Sequence, residues 1–102
     1  MDYKEAVLKA KKFSELALDI IKPEVIVLYG SYAKGTASED SDIDIAFICN
    51  EVGEEYWEKI QRLYRLRRDI EIRIEPVLLE LKNDPSGFCE EIIKTGKTIY
   101  AA

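Results

Sequence analysis

The sequence predicts a small α/β (α+β) domain in which a short mixed sheet packs against helices. Apolar runs of strand length alternate with segments whose apolar residues recur at helical spacing, in the order helix, strand, short helix, strand, helix, strand, helix and final strand. The chain has 102 residues, of which 47% are hydrophobic and 34% are charged. This balance is typical of a folded protein, and we expect one domain over residues 1–102.

The first part of the chain predicts a helix followed by a strand. Asp2 and Glu5 have the spacing of a helix-capping pair, and apolar residues at helical spacing predict a helix over about residues 3–22. Pro23 is expected to end this helix. The apolar run at residues 25–29 predicts a buried strand directly before a glycine-serine turn.

The middle of the chain predicts a turn, a second strand and a second long helix. Residues 30–35 are typical of a tight turn with a short helical piece, and the polar residues 36–41 are typical of a loop. Residues 43–49 predict a second strand because they are almost continuously apolar. Residues 54–68 predict a helix with one apolar face.

The last part of the chain predicts a strand, a helix and a short final strand. Isoleucines alternate with charged residues over 70–75, which is typical of a strand with one buried face, and Pro76 is expected to weaken further ladder bonding. An Asp-Pro pair at 84–85 predicts the start of a third helix that ends at Gly96. Residues 97–100 predict the final strand.

The predicted second helix also carries arginines and aromatic residues. We expect the arginines to complement the helix dipole and to face solvent, a contact with a partner or with a bound ligand being the alternative. These arginines are Arg62, Arg65, Arg67 and Arg68. Trp57, Tyr56 and Tyr64 are expected in the core or at an interface.

Composition excludes several classes of function. The chain contains no histidine, which excludes zinc-hydrolase and Ser-His-Asp chemistry. Cys49 and Cys89 lack metal-ligand spacing, and we expect free buried thiols. The net charge of −5 argues against direct binding to a nucleic-acid backbone. No apolar run approaches the roughly 20 residues of a membrane span and no signal peptide is visible, so we expect a cytoplasmic protein.

A glycine-serine corner and an acidic pair lie on the two sides of one loop. Gly30-Ser31 follows the first predicted strand, and Asp42-x-Asp44 opens the second after a ten-residue spacer. Gly30 has no Cβ, so the backbone can turn sharply and approach a ligand. A helix that begins after this glycine would direct free N–H groups at a phosphate. If the glycine-serine corner is considered without the acidic pair, the alternative is a plain strand-to-helix turn that binds no phosphate.

Asp42 and Asp44 project to the same side of the second strand because strand side chains alternate. Two neighbouring carboxylates are unfavourable unless a cation lies between them. Their oxygen atoms are suitable ligands for magnesium, which also binds substrate phosphates. If the acidic pair is considered alone, the alternative to a metal site is an exposed acidic face at the edge of the sheet. Together with the glycine-serine corner, the pair predicts an active site that holds a metal-bound nucleotide.

Two other nucleotide-binding or metal-binding motifs do not fit this segment. A P-loop needs lysine directly after its second glycine, whereas Thr36 follows Gly35 here. An EF-hand loop that started at Asp40 would need glycine at its sixth position, which is Ile45. Neither motif is therefore predicted.

The pattern Gly30-Ser31, ten residues and Asp42-x-Asp44 between two apolar strands resembles the signature of the polymerase β-like nucleotidyltransferase superfamily. Within that superfamily it is most similar to the minimal nucleotidyltransferases of bacteria and archaea, and the likeness extends over about residues 24–76. The resemblance implies that Gly30 and Ser31 hold the phosphates of a nucleoside triphosphate, with ATP as the expected substrate. It also implies that Asp42 and Asp44 bind two Mg²⁺ ions.

The resemblance implies a third carboxylate on the next strand, which completes the metal site and helps to activate the attacking hydroxyl. On one strand face Glu71 and Glu75 would lie roughly 13 Å apart, so only one of them can reach the metals. We expect Glu71 in this role because it is nearer mid-strand. In addition, Glu71-x-Arg73-Ile74-Glu75-Pro76 resembles a family stretch whose first acid acts in this way. The alternative for Glu71 is that it is the cross-strand partner of a lysine or arginine.

The resemblance also implies a function. The chain would be a magnesium-dependent nucleotidyltransferase that transfers NMP, chiefly AMP from ATP, to a hydroxyl group of a protein or small molecule. Minimal members commonly form a toxin–antitoxin pair with a separate helical protein of the HEPN type, and transfer AMP to one of its tyrosines. A second copy of this chain is the other candidate partner. The alternative function is that of a non-catalytic antitoxin, adaptor or nucleotide sensor, which acts by contact or binding alone.

Overall fold

A computed structural model describes all residues from 1 to 102. Four helices, four strands and three short 3-10 turns follow one another in the predicted order. The helices are α1 (Tyr3–Ala17), α2 (Ser31–Lys34), α3 (Tyr56–Leu66) and α4 (Phe88–Thr95). The strands are β1 (Val25–Tyr29), β2 (Ile43–Cys49), β3 (Ile74–Glu80) and β4 (Lys97–Ala101).

The four strands form one mixed sheet in the order β3-β2-β1-β4. Strand β1 is antiparallel to both β2 and β4, whereas β2 and β3 are parallel. The central strands β1 and β2 are buried along most of their length, which explains why both are apolar runs in the sequence. The predicted fold class, a mixed sheet packed against helices, is confirmed.

The two faces of the sheet have separate apolar clusters. On one face α1 and α3 pack over the larger cluster, where the rings of Phe13 and Phe47 meet edge to face with centroids 5.9 Å apart. On the other face α4 covers a smaller cluster, formed by Val27, Ala46, Ile48, Cys89 and Ile92. Asp44 lies on this second face because strand side chains alternate, and it is only half-buried.

Two predicted helix boundaries are wrong, and in both cases a residue expected within or at the start of the helix has another role outside it. Helix α1 ends at Ala17 rather than near residue 22, and Ile21 reaches the same apolar cluster from beyond the turn that follows. Helix α4 begins at Phe88 rather than directly after the Asp-Pro pair. Asp84 nevertheless caps it, because its Oδ1 accepts a hydrogen bond from the backbone N–H of Cys89 at 3.1 Å.

The third strand lies further along the chain than predicted. Residues 70–73 form a turn, and β3 begins only at Ile74. Pro76 does not end the ladder, because β3 is an edge strand and a residue without N–H is tolerated on its free side. Glu71 therefore precedes the sheet, whereas Glu75 lies within it.

Two further predictions concern individual side chains. Cys49 and Cys89 are both free and buried, as expected. Trp57 does not lie in the core, because 73% of its surface is exposed.

None of the helices has the length and apolar character that crossing a membrane requires.

Candidate active site

Gly30 forms a sharp corner between β1 and α2. Its φ angle of +76° lies in the left-handed region that favours glycine, and its carbonyl oxygen accepts a hydrogen bond from Lys34 N at 3.1 Å. Ser31 follows as the first residue of α2. A Cβ atom at Gly30 would overlap the carboxylate of Asp44. The glycine-serine corner and Asp44 are therefore in direct contact, as the spacing of the motif predicted.

Asp44 is the middle residue of a row that crosses three strands, with Tyr29 on one side and Glu75 on the other. We call these three residues the acidic row. Burial raises the pKa of the Asp44 carboxyl group, and the negative charges of Asp42 and Glu75 raise it further. Since neighbouring strands are about 4.8 Å apart, Glu75 is the acid directly beside Asp44.

Tyr29 belongs to this row, although the sequence analysis used it only as the end of a strand. Burial raises its pKa to about 12, and the charges of Asp44 and Glu75 contribute to that rise. Its phenol group therefore stays protonated at neutral pH. The Tyr29 ring also meets the ring of Phe88 edge to face, with centroids 6.2 Å apart, which connects the row to α4.

Glu75 is held by two side chains that come from α3 and its C-terminal end. Tyr64 Oη donates a hydrogen bond to Glu75 Oε2 at 3.1 Å, and Arg67 Nη1 donates to Glu75 Oε1 at 3.2 Å. Both carboxylate oxygens therefore have a donor. Sequence analysis predicted neither contact, because both depend on how α3 packs beside β3.

Glu71 has different partners. Its Oε1 accepts a hydrogen bond from Lys9 Nζ at 2.7 Å, and its Oε2 accepts one from the backbone N–H of Arg73 at 3.1 Å. The hydrogen bond from Lys9 lowers the pKa of the Glu71 carboxyl group, and the contacts with Arg73 lower it further. Glu71 thus joins α1 to the turn before β3 through an ion pair with a helix residue, whereas the alternative considered from the sequence was a cross-strand pair.

The acidic groups supply oxygen atoms of the kind that Mg²⁺ prefers, but no three His, Cys, Asp or Glu side chains are placed to hold a metal by themselves. Mg²⁺ is usually bound by one or two carboxylates, with substrate phosphates and water in the other positions. The close approach of Gly30 to Asp44 and the concentrated negative charge fit such a shared site. Asp42 and Asp44, with Glu75 on the next strand, are the residues that could share such an ion with a substrate phosphate.

We expect Glu71→Gln to lower the free energy of unfolding by about 1–2 kcal/mol at pH 7, because hydrogen bonds to a charged group are lost. The pKa of Glu71 is lowered in the folded protein, so this stabilisation is present above the unfolded value of about 4.3. It is lost as the pH falls through the lower folded value. Urea denaturation at about pH 7 and about pH 3 should therefore show a larger difference at pH 7.

The matched control is Glu58→Gln, since Glu58 is exposed and makes no ion pair. We expect its unfolding midpoint to change little at either pH. A Glu71→Gln effect of equal size at both pH values would contradict an ionic contribution.

Comparison with known proteins gives two sequence matches. Residues 11–102 match the family described as polymerase beta, nucleotidyltransferase. The protein adenylyltransferase MntA of Shewanella oneidensis is 31% identical to this chain over 97 residues. The match covers 91% of this chain and 66% of MntA, so the chain spans just under two thirds of the length of that relative.

Solved structures have the same fold. A structure described as a nucleotidyltransferase from Sulfolobus solfataricus has a TM-score of 0.68 at 20% identity, and the match covers 97% of this chain and 83% of that one. A toxin-antitoxin structure with AMP-PNP has a TM-score of 0.61 at 25% identity, covering 90% and 73% of the two chains. A complex of tri-AMPylated Shewanella oneidensis HEPN toxin with MNT antitoxin gives 0.61 at 25% identity, covering 95% and 73%.

Proposed function

This chain belongs to the polymerase beta nucleotidyltransferase family, and on that premise we propose that it transfers AMP from ATP to a hydroxyl group of a protein partner. One observation chiefly supports the proposal: the Asp44 carboxylate lies against Gly30, and Asp42 and Glu75 add charge at the same place. A flexible glycine corner beside clustered carboxylates suits a triphosphate whose charge is shared with a divalent cation.

Each of these residues would have a separate role in the reaction. Gly30 lets the backbone approach the phosphates, and Ser31 adds a hydroxyl donor. Asp42 and Asp44 would hold Mg²⁺, which supplies the positive charge that stabilises the pyrophosphate leaving group. The attacking hydroxyl oxygen would bond to the α-phosphorus of ATP as the bond to pyrophosphate breaks.

We assign the role of third carboxylate to Glu75, not to Glu71. Glu75 is paired in register with Asp44, and its charge acts on that residue. Glu71 precedes β3 and is bound to Lys9. In this assignment Glu75 completes the metal site and accepts the proton of the attacking hydroxyl.

The class of acceptor is proposed from the relatives. MntA is described as a protein adenylyltransferase, and an MNT antitoxin has been solved in complex with an AMPylated HEPN toxin. We propose that this chain likewise acts as the antitoxin of a HEPN-type protein and modifies that protein with AMP.

The test has a binding arm and a transfer arm. Calorimetry with AMP-PNP, with and without Mg²⁺, should show binding that depends on the metal. The chain is then incubated with ATP labelled at the α-phosphate and with the protein that co-purifies with it, and we expect label and the mass of AMP on that partner. A partner that binds tightly but remains unlabelled, in the presence of metal and each of the four nucleoside triphosphates, would support the binding-only alternative instead.

A further inference from the structure

Arg67 is fixed at three points beside the acidic row. Its Nη1 donates a hydrogen bond to the carbonyl oxygen of Ile74 at 2.9 Å and another to Glu75 Oε1 at 3.2 Å. Its guanidinium carbon lies 4.7 Å from the centroid of the Tyr64 ring, a cation–π distance. A backbone anchor and an aromatic face together restrict the side chain to one orientation, and only 26% of it is exposed.

Glu75 lies near other negative charges, so a positively charged partner is needed to hold its side chain in place. Its neighbour across the sheet is Asp44, and Asp42 adds a further negative charge nearby. Like charges repel, and the Glu75 side chain is 40% exposed, so an untethered Glu75 would turn towards solvent. Donors on both of its oxygen atoms fix the position of the carboxylate instead.

We propose that Arg67, supported by Tyr64, is a positioning residue that holds Glu75 in place for the divalent cation. This inference rests on the proposed function and adds a residue that lies outside the glycine-serine and acidic motifs. Each carboxylate oxygen has two lone pairs, so Glu75 can keep both donors and still face a cation or an incoming hydroxyl. Without Arg67, binding would also have to order a glutamate side chain, which weakens affinity.

The variant Arg67→Met tests this role, with Mn²⁺ as the probe in calorimetry at a constant, saturating concentration of AMP-PNP. We expect Arg67→Met to weaken Mn²⁺ affinity by about 3- to 10-fold, the cost of immobilising one flexible side chain. The opposite sign is expected if Arg67 only neutralises charge, because removing a cation near the site would strengthen Mn²⁺ binding. Tighter or unchanged binding would therefore overturn the proposal.

Two further variants separate positioning from charge and from folding. Tyr64→Phe removes one donor without changing any charge, and we expect about 2- to 3-fold weaker Mn²⁺ binding with little change in melting temperature. Arg68→Met makes the same charge change on an exposed residue without an ion pair, and we expect affinity within twofold of the parent chain. Should Arg67→Met fail to fold, Tyr64→Phe alone decides: unchanged Mn²⁺ affinity would overturn the proposal.

Failure of this inference can be told apart from failure of the proposed function. If the parent chain binds Mn²⁺ and transfers AMP while the Arg67 and Tyr64 variants bind Mn²⁺ as tightly, only the positioning role falls. If the parent chain binds neither Mn²⁺ nor metal-dependent nucleotide, both fall.

Discussion

Replacing Asp42 and Asp44 together by asparagine is expected to lower AMP transfer by about 10²–10³-fold or more while raising the melting temperature. Transfer falls because the positive ion that stabilises the developing charge is no longer held, and removal of one preorganised charge-stabilising group already costs on this scale. Stability rises because the partly buried charge of Asp44 and the neighbouring exposed charge of Asp42, which repels it, are both removed.

The gain in stability should depend on pH with a definite sign. The pKa of Asp44 is raised in the folded protein, so folding disfavours its charged form. Asp44 therefore destabilises the parent chain at neutral pH, and this effect disappears below the unfolded pKa of about 3.9. We expect the double variant to melt above the parent at about pH 7, and the difference to shrink at about pH 3.5.

Transfer of labelled AMP and calorimetric unfolding measure the two effects in the same preparations. Asp40→Asn is the matched control, because Asp40 lies in the same loop and is exposed but is not among the charges that act on Asp44. Its transfer and melting temperature should stay close to those of the parent chain. Undiminished transfer by the double variant would rule out the proposed site.

Gly30→Ala is expected to lower both stability and metal-dependent nucleotide binding. At a φ of +76° an L-residue costs about 1–2 kcal/mol, and the new Cβ would also overlap the Asp44 carboxylate. Asp44 would have to move away from the corner, which separates the acids from the phosphate position. We therefore expect a larger loss of stability than the backbone strain alone produces, together with weaker AMP-PNP binding in the presence of Mg²⁺.

Gly35→Ala is the control for a glycine at positive φ without the contact. Gly35 has a φ of +74° and lies in the left-handed helical region with a ψ of +19°, and a Cβ there would meet no atom within 4 Å. We expect a smaller loss of stability than for Gly30→Ala in urea denaturation, because Gly30 has a ψ of −149°, a conformation almost confined to glycine, and also contacts Asp44.

A double-mutant cycle checks that assignment. In an Asp44→Ala background, Gly30→Ala should cost less stability than it costs in the parent chain, because the overlapping carboxylate has been removed. Additive costs of Gly30→Ala and Asp44→Ala would show that the two residues do not interact.

Local patterns predicted much of the fold because several elements are specified by residues close together in sequence. Strands β1 and β2 are nearly continuous apolar runs, and the structure places them at residues 25–29 and 43–49 as predicted. The contact between Gly30 and Asp44 follows from the same patterns, since the two strands that carry these residues are antiparallel neighbours across one loop.

Local patterns could not decide between Glu71 and Glu75. Strand side chains repeat every two residues, so both acids fit one face of a predicted strand that includes them. The start of β3 depends on pairing with β2, where Ile43 N donates a hydrogen bond to Arg73 O at 2.8 Å and Asp44 pairs with Glu75. This pairing leaves Glu71 in the preceding turn, within reach of Lys9 on α1.

The sequence by itself therefore determined the order of helices and strands, the glycine-serine corner and the acidic pair, because each depends on residues that are adjacent or separated by one short loop. Only the tertiary structure decided that Glu75 lies beside Asp44 and that Arg67, rather than another arginine of the same cluster, contacts Glu75. The first contact arises where β3 pairs with β2, and the second where α3 packs beside β3. The position of one element against another is set by the packing of the whole core rather than by any local pattern.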